Sequence, residues 1–333
     1  MSFLFPSQTI TFDAALRDLA SGSPKARASA ARALGEVDDD TERRRAIDAL
    51  VRALDDDKPE VRSAACASLG TLGEHAKVPI AGLIKRLDDG APPVRQNAAI
   101  ALGTLRAAEG FEPLASALRS GPADLRFQAA TSLAEIDALR AFEHEVAALA
   151  DRDAQVVGAA ALSVGAIAAV HGERKDAALA ALAPKLDHDD RGARFEVAYA
   201  LAELGDARGT KILADAIPDA ERSWDAVTAL GRLRAEPELM TALAHKKTTD
   251  EARTLAAGRL VALGESPKAR KALTDALMHR KVHVRGIALE QLAEVGGAWA
   301  RPALDKLAKS IKGSELGEPI GTALRAIAER EGA

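Results

Sequence analysis

An all-α solenoid of about ten stacked helical hairpins is the fold this sequence predicts. Three observations carry that expectation: a motif that recurs along the chain, apolar positions at helical spacing within each copy, and an interior vocabulary of Ala, Leu and Val. The chain has 333 residues, 47% of them apolar but only 3% aromatic. Small aliphatic side chains suit helices packed closely on one another rather than a sandwich or barrel. A chain of this length exceeds what one compact core serves, so it must form several domains or an array.

The template is Pro59-Glu60-Val61-Arg62-Ser63-Ala64-Ala65-Cys66-Ala67-Ser68-Leu69-Gly70-Thr71-Leu72-Gly73, and it recurs from Pro93 to Leu105. Weaker copies are anchored at Arg27, Arg126, Val157, Arg194, Ser223, Arg253, Arg285 and Gly317, a mean period of about 32 residues, within the range of helical repeat arrays. Three residues after the anchor stands Ala in eight copies, with Val197 and Ile320 in the other two. Seven residues after it stands Leu, or Val164 in one copy, and ten residues after it Leu, Ile or Val. Offsets of three, seven and ten share one face of a helix, so each copy carries a stripe predicted to be buried.

A second amphipathic segment precedes each such helix, as in Ala46–Leu54 and Pro79–Leu87. The turn between the two is acidic and carries Pro: Asp55-Asp56-Asp57-Lys58-Pro59, then Asp88-Asp89-Gly90-Ala91-Pro92. Asp suits a helix N-cap and Pro the first turn. Gly35, Gly70, Gly103 and Gly231 follow the Leu of their copies and are read as ending or bending the helix. Each unit is therefore helix A, acidic turn, helix B and loop. The predicted organisation is an apolar N-terminal arm over 1–11, one solenoid over 12–330 and a short tail over 331–333.

The string D-x-x-P-x-V-R-x-A-A-x-A-L-G-x-L resembles the HEAT-repeat family, especially the short bacterial repeats called phycobilisome-lyase-like. The resemblance implies a right-handed superhelical array with the B helices lining its concave face. It is specific for fold and nearly silent on function. Ala- and Arg-rich usage points the same way, to a bacterial chain.

On the wheel, positions one and five after each anchor lie opposite the buried stripe. They place Phe127, Thr131, Leu162, Phe195, Tyr199, Trp224 and Thr228 outward in the middle copies, with Gln128, Glu196 and Asp225 on the flank. This predicts an aromatic groove with an acidic border that takes a partner segment bearing apolar and basic groups. The anchor arginines Arg27, Arg62, Arg95, Arg126, Arg194, Arg253 and Arg285 belong to the general pattern. They are read as structural, each pairing with an acidic turn residue such as Asp56 or Asp89 and locking repeat to repeat.

Other chemistries find little support. The net charge of −4 and the interspersed signs disfavour nucleic-acid binding, which needs a basic face. The single cysteine, Cys66, permits no disulfide within the chain and fits a reducing compartment, hence the cytoplasm. No 18-residue apolar run is present, and the apolar start Phe3-Leu4-Phe5 lacks a secretory signal's basic residues and cleavage site. His279 and His283 have i, i+4 spacing but no third ligand nearby, so solvated surface is expected and no metal is called. Deoxyhypusine hydroxylases also resemble this array, but their His-Glu pairs are absent where Ser63-Ala64, Gln96-Asn97, Phe195-Glu196 and Trp224-Asp225 stand. No catalytic residue and no cofactor are called. The predicted function is a non-catalytic scaffold or adaptor that binds a protein. The alternative, implied by the resemblance, is a bilin lyase or chromophore chaperone whose tetrapyrrole would sit against Glu196 and Asp225.

Overall fold

The computed structural model describes residues 10–73, 77–264, 266–310 and 316–332. They form twenty α-helices and no strand. The chain divides into two compact units, Met1–Ala178 and Leu179–Ala333, and each is an α-solenoid.

The first unit stacks five hairpins. Their A helices are α1 (Phe12–Ser21), α3 (Asp40–Ala53), α5 (Ile80–Arg86), α7 (Phe111–Ser120) and α9 (Ala138–Ala148). Their B helices are α2 (Pro24–Leu34), α4 (Pro59–Leu72), α6 (Pro92–Thr104), α8 (Ala123–Ile136) and α10 (Ala154–Val170). Helix α11 (Lys175–Leu182) spans the division. In the second unit a 3₁₀ segment, Ala183–Asp187, packs on α12 (Arg191–Glu203). Four hairpins follow. Their A helices are α13 (Thr210–Ala216), α15 (Glu236–Ala244), α17 (Pro267–Ala276) and α19 (Arg301–Ser310). The matching B helices are α14 (Ser223–Arg232), α16 (Asp250–Leu263), α18 (Val282–Val295) and α20 (Gly317–Gly332). The expected N-terminal arm lies outside the described residues except for Ile10 and Thr11, whose hydroxyl caps α1 at Ala14 N. Helix α20 extends two residues into the stretch expected as a tail, and Glu331 there pairs with Arg301 at 2.7 Å.

The repeated stripe is the core. Every residue three after an anchor is buried, from Ala30 to Ile320. So is every residue seven after, until the last copy, where Leu324 is half-exposed and Ala323 takes the buried place. No later hairpin follows α20 among the described residues to cover that Leu. Most A helices contribute a fully buried Leu, namely Leu50, Leu83, Leu114, Leu213, Leu239, Leu273 and Leu304, and α11 contributes Leu182.

Successive B helices touch through their smallest residues. A Cβ on Gly70 would lie 3.1 Å from the Ala101 Cα on α6, and one on Gly103 would lie 3.0 Å from the Ser132 Cβ on α8. Both glycines sit inside their helices, so they admit the neighbouring helix and do not end their own, one of the two roles the sequence reading gave them. Gly35 does stand at the C-cap of α2. The helix-to-helix contact is pinned by hydroxyls: Ser68 Oγ donates to Ala31 O at 2.9 Å and Ser163 Oγ to Ala130 O at 2.8 Å.

The anchor arginines act as clasps in the first unit. Arg62 donates through Nε and Nη2 to both oxygens of Asp89 at 2.8 and 2.7 Å, while its Nη1 donates to Asp56 O in its own turn. Arg27 grips Asp56, and Arg126 grips Asp151, in the same two-pronged way. Arg95 reaches both oxygens of Asp124 with one nitrogen. Each of these arginines thus ties the carbonyl of one turn to a carboxylate of the next turn or, for Asp124, of the first turn of the next B helix. The fork geometry of guanidinium makes such pairs strong and directional. The aspartates are not helix caps as expected: Asp56 and Asp89 instead accept from Lys58 N and Ala91 N, shaping the turn before the helix starts. Hydrogen bonds from Arg62 hold the Asp89 carboxyl below the usual carboxylate range, against the push of burial.

The second unit abandons the clasp, which corrects the expectation for Arg194, Arg253 and Arg285. Arg194 donates to His188 O and Asp189 O, Arg285 to His279 O, and Arg253 to His245 O and Thr248 O, all in or beside their own turns. The reason lies in the following turns. Met278-His279-Arg280-Lys281, the turn after Arg253, contains no acid; in the turn after Arg194 the Asp219 carboxylate accepts from Glu221 N and, among the described residues, not from Arg194. The link between α16 and α18 is inverted: acids on α16 meet bases at the start of α18. Lys281 lies 3.2 Å from Asp250 and 3.3 Å from Glu251, His283 lies 2.6 Å from Glu251, and His279 lies 3.5 Å from Asp250. Burial pushes the Glu251 carboxyl up, but the bonds from His283 and Lys281 outweigh it and hold it at about 2. The two histidines are therefore joined to α16 rather than merely solvated.

Replacing Asp89 by Asn leaves the Arg62 and Arg86 guanidiniums without their shared anion. We expect a loss of about 2 kcal/mol in urea unfolding at pH 7. Because the folded-state carboxyl titrates below its unfolded value, this stabilisation is present above the ordinary carboxylate range. The gap between wild type and variant therefore narrows as pH falls through and below that range. A gap that stays constant down to pH 2.5 contradicts the clasp.

Candidate partner-binding surfaces

In the first unit, Phe127 on α8 and Leu162 on α10 are exposed, as placed by the wheel, and Ile100 on α6 joins them. Gln128 and Thr131 are half-buried and occupied with each other: Gln128 Nε2 donates to Thr131 Oγ1 at 2.7 Å, and that hydroxyl donates to Gln128 O at 2.8 Å. The B-helix face here presents neutral side chains, and α10 carries no charged residue at all.

The second unit departs from the sequence reading at Phe195. Its ring is 2% exposed and belongs to the core, packed with Ala198, Leu213 and Val227 among others. The guanidinium of Arg222, from the turn before α14, lies over the ring at 5.2 Å. A turn residue of the following hairpin thus closes over a position that periodicity alone assigns to solvent. Tyr199 is half-buried, and its hydroxyl accepts from Arg232 Nη1 at 3.1 Å. Arg232 also lies over the Tyr199 ring and pairs with Glu203.

Trp224, in contrast, is 40% exposed in the first turn of α14. Asp225 beside it is exposed and makes no hydrogen bond or ion pair among the described residues. Glu196 on α12 is half-buried, and burial pushes its carboxyl up; Arg222 draws it down and the charge of Asp225 pushes it up again. The two carboxylates therefore feel each other from neighbouring helices. Thr228 turns inward along its own helix, donating to Trp224 O at 2.9 Å. The outward set in this unit is thus Trp224, Asp225 and Glu196. An exposed indole on a helix that also carries Asp225, with Glu196 on the adjoining helix, makes a surface suited to a cation, by ring quadrupole and by charge. Sequence periodicity could not foresee the cover over Phe195, since Arg222 lies outside any repeated helix position.

Both units define an α-solenoid of helical hairpins. The repeat type is recognised in the first unit: HEAT repeats match residues 14–81 and 80–165. Among solved structures, importin beta is similar at 13% identity and TM-score 0.52, the match covering 95% of this chain and 52% of that one. Kap95p, from its complex with RanGDP, is similar at 13% identity and TM-score 0.52, covering 98% and 53%. The chain thus spans about half the length of these two, and at such identity the likeness is one of fold alone. The phycocyanin lyase subunits CpcE and CpcF of Nostoc sp. PCC7120 match at 21% identity and TM-score 0.40, covering 82% of this chain and 97% of that one. At that score the likeness supports no argument. A search of curated proteins by sequence gives no match. No described helix is long and apolar enough to cross a membrane.

The contrast between the two rings is measurable. Phe195→Ala empties a core position and is expected to cost about 3–5 kcal/mol. Trp224→Ala, at a half-open site, is expected to cost under about 1 kcal/mol. Chemical denaturation of both variants checks the order, and equal losses contradict the placement.

Proposed function

We propose that this protein is a non-catalytic binding scaffold that takes a basic segment of a partner protein on the B-helix surface of its second unit. The observation that carries this reading is the exposed Trp224 ring with Asp225 beside it and Glu196 on the adjoining helix. A Lys or Arg side chain laid on the indole meets both carboxylates. Its ammonium or guanidinium adds a second positive charge to that of Arg222, which already draws the Glu196 carboxyl down, and further favours both carboxylates. Neighbouring apolar residues of the segment find the half-open Tyr199 and Trp224 rings. Aromatic anchors surrounded by polar groups are a common form of binding hot spot.

The fold supports the reading in a general way: Kap95p, a solenoid of this architecture, is seen with RanGDP, so such stacked hairpins can present a surface to another protein. The free thiol of Cys66 is buried, and burial pushes it up to about 12, which keeps it unreactive.

Fluorescein-labelled peptides alternating Lys or Arg with Leu, titrated against the full chain, test the proposal. Binding is expected to weaken with salt. It should fall at least about tenfold in Trp224→Ala and in the pair Glu196→Gln, Asp225→Asn, corresponding to roughly 1.4 kcal/mol or more. Equal affinity for a Glu/Leu control peptide, or affinity unchanged in both folded variants, overturns it.

A further inference from the structure

One buried group takes no part in the surface just described. Glu145 lies in α9, four residues before Leu149. The same place in the neighbouring A helices holds Leu50, Leu83 and Leu114, each with no exposed surface. Glu145 is equally sealed, at 0% exposure, and neither carboxyl oxygen has a hydrogen-bond partner among the described residues. A carboxyl group thus stands where the repeat demands a leucine.

The groups on the packed elements account for themselves elsewhere. Helix α9 packs on α7, α8 and α10. On α10 there is no charged side chain. On α8, Arg126 is held by Asp151 and Gly121 O, Asp124 by Arg95, and Glu135 is exposed. On α7, Glu112 is paired with Arg140 of α9, and Arg119 is exposed. On α9 itself, Glu143 pairs with Arg174 and His144 rests edge-on to Phe111. Burial alone therefore raises the Glu145 carboxyl well above the ordinary range, with no cation to oppose it. An ion in such a setting costs far more than a neutral acid, so the closed state keeps the proton.

We propose that Glu145 makes the α9–α10 hairpin a proton-gated element, closed while the carboxylic acid is protonated and opening as that proton is released to water. The closed form holds one proton more than the open form at every pH between the ordinary carboxylate value and the raised folded value. Rising pH therefore favours opening, by tenfold for each pH unit across that window. The gate needs no ligand: the O–H bond of the acid breaks, water takes the proton, and the carboxylate gains the solvation that only the open hairpin allows. Opening exposes the neutral, charge-free α10, a surface otherwise available only at Leu162 and its exposed neighbours.

Hydrogen exchange of the full chain between pH 5.5 and 8, corrected for intrinsic rates, is the test. Protection of α9 and α10 amides in the wild type is expected to fall about tenfold per pH unit relative to α4 and α6. In Glu145→Gln, which keeps the shape but cannot ionise, that relative slope should vanish. In Glu145→Leu it should vanish and protection should rise. Parallel profiles for wild type and Glu145→Gln overturn the proposal, as does a slope shared equally by α4 and α6. A second measurement stands apart from any variant's folding. The side-chain ¹³C carboxyl resonance of Glu145 in the wild type should keep its protonated position at pH 6; titration in the ordinary carboxylate range overturns the gate.

Discussion

Close approach of consecutive B helices is the constraint on which the rest of this structure depends. The residues that meet at this contact have to be small: Gly70 faces Ala101, Gly103 faces Ser132, and Ser68 reaches the Ala31 carbonyl. Ala65, Ala98 and Ala129, on the buried stripe beside it, are likewise without exposure. Where the contact tightens further, as at Gly70 against Ala101, even a methyl group would crowd backbone. Such packing concentrates many weak dispersion contacts in a narrow seam. It leaves the larger aliphatic residues at seven to meet the A helices. The aromatic content of 3% follows from this geometry, since a ring in the seam would force neighbours apart.

The electrostatics are laid over that seam rather than creating it. In the first unit a guanidinium fork joins each turn to the next, and its planarity suits the fixed spacing of stacked hairpins. The second unit keeps the same seam without the fork. Its arginines satisfy their own turns, and Asp250 and Glu251 instead collect Lys281, His279 and His283. Apolar packing thus tolerates the exchange of one polar connection for another. It tolerates Glu145 less easily, because this carboxyl on an A helix is sealed from solvent and neither oxygen is hydrogen-bonded among the described residues. Burying an unpaired polar group is among the few single-residue features that cost a repeat several kcal/mol.

The candidate surface was partly legible in the sequence. Phe127, Leu162 and Trp224 stand outward because they lie opposite the stripe, and a helical wheel suffices to see that. Phe195 has the same register yet is covered, since Arg222 reaches across from a turn whose path no periodicity describes. Tyr199, Gln128 and Thr131 are only half-buried, but their polar atoms are bound to Arg232 or to one another. Glu145 carried a signal that went unread: aligning the A helices sets it against Leu50, Leu83 and Leu114. The A helices lack the shared motif of the B helices, so their register becomes evident only once the hairpins are superposed in space.

The amino-acid sequence by itself determined the hairpin repeat, the residues of its buried stripe and the arginine clasps of the first unit. These follow from spacing along a helix and from pairs that recur at the repeat period. Tertiary structure alone decided which outward positions remain open, which arginines find a carboxylate, and that one carboxyl is sealed inside. Those outcomes turn on the paths of the irregular turns and on contacts between residues far apart in the chain. No local periodicity encodes either of them.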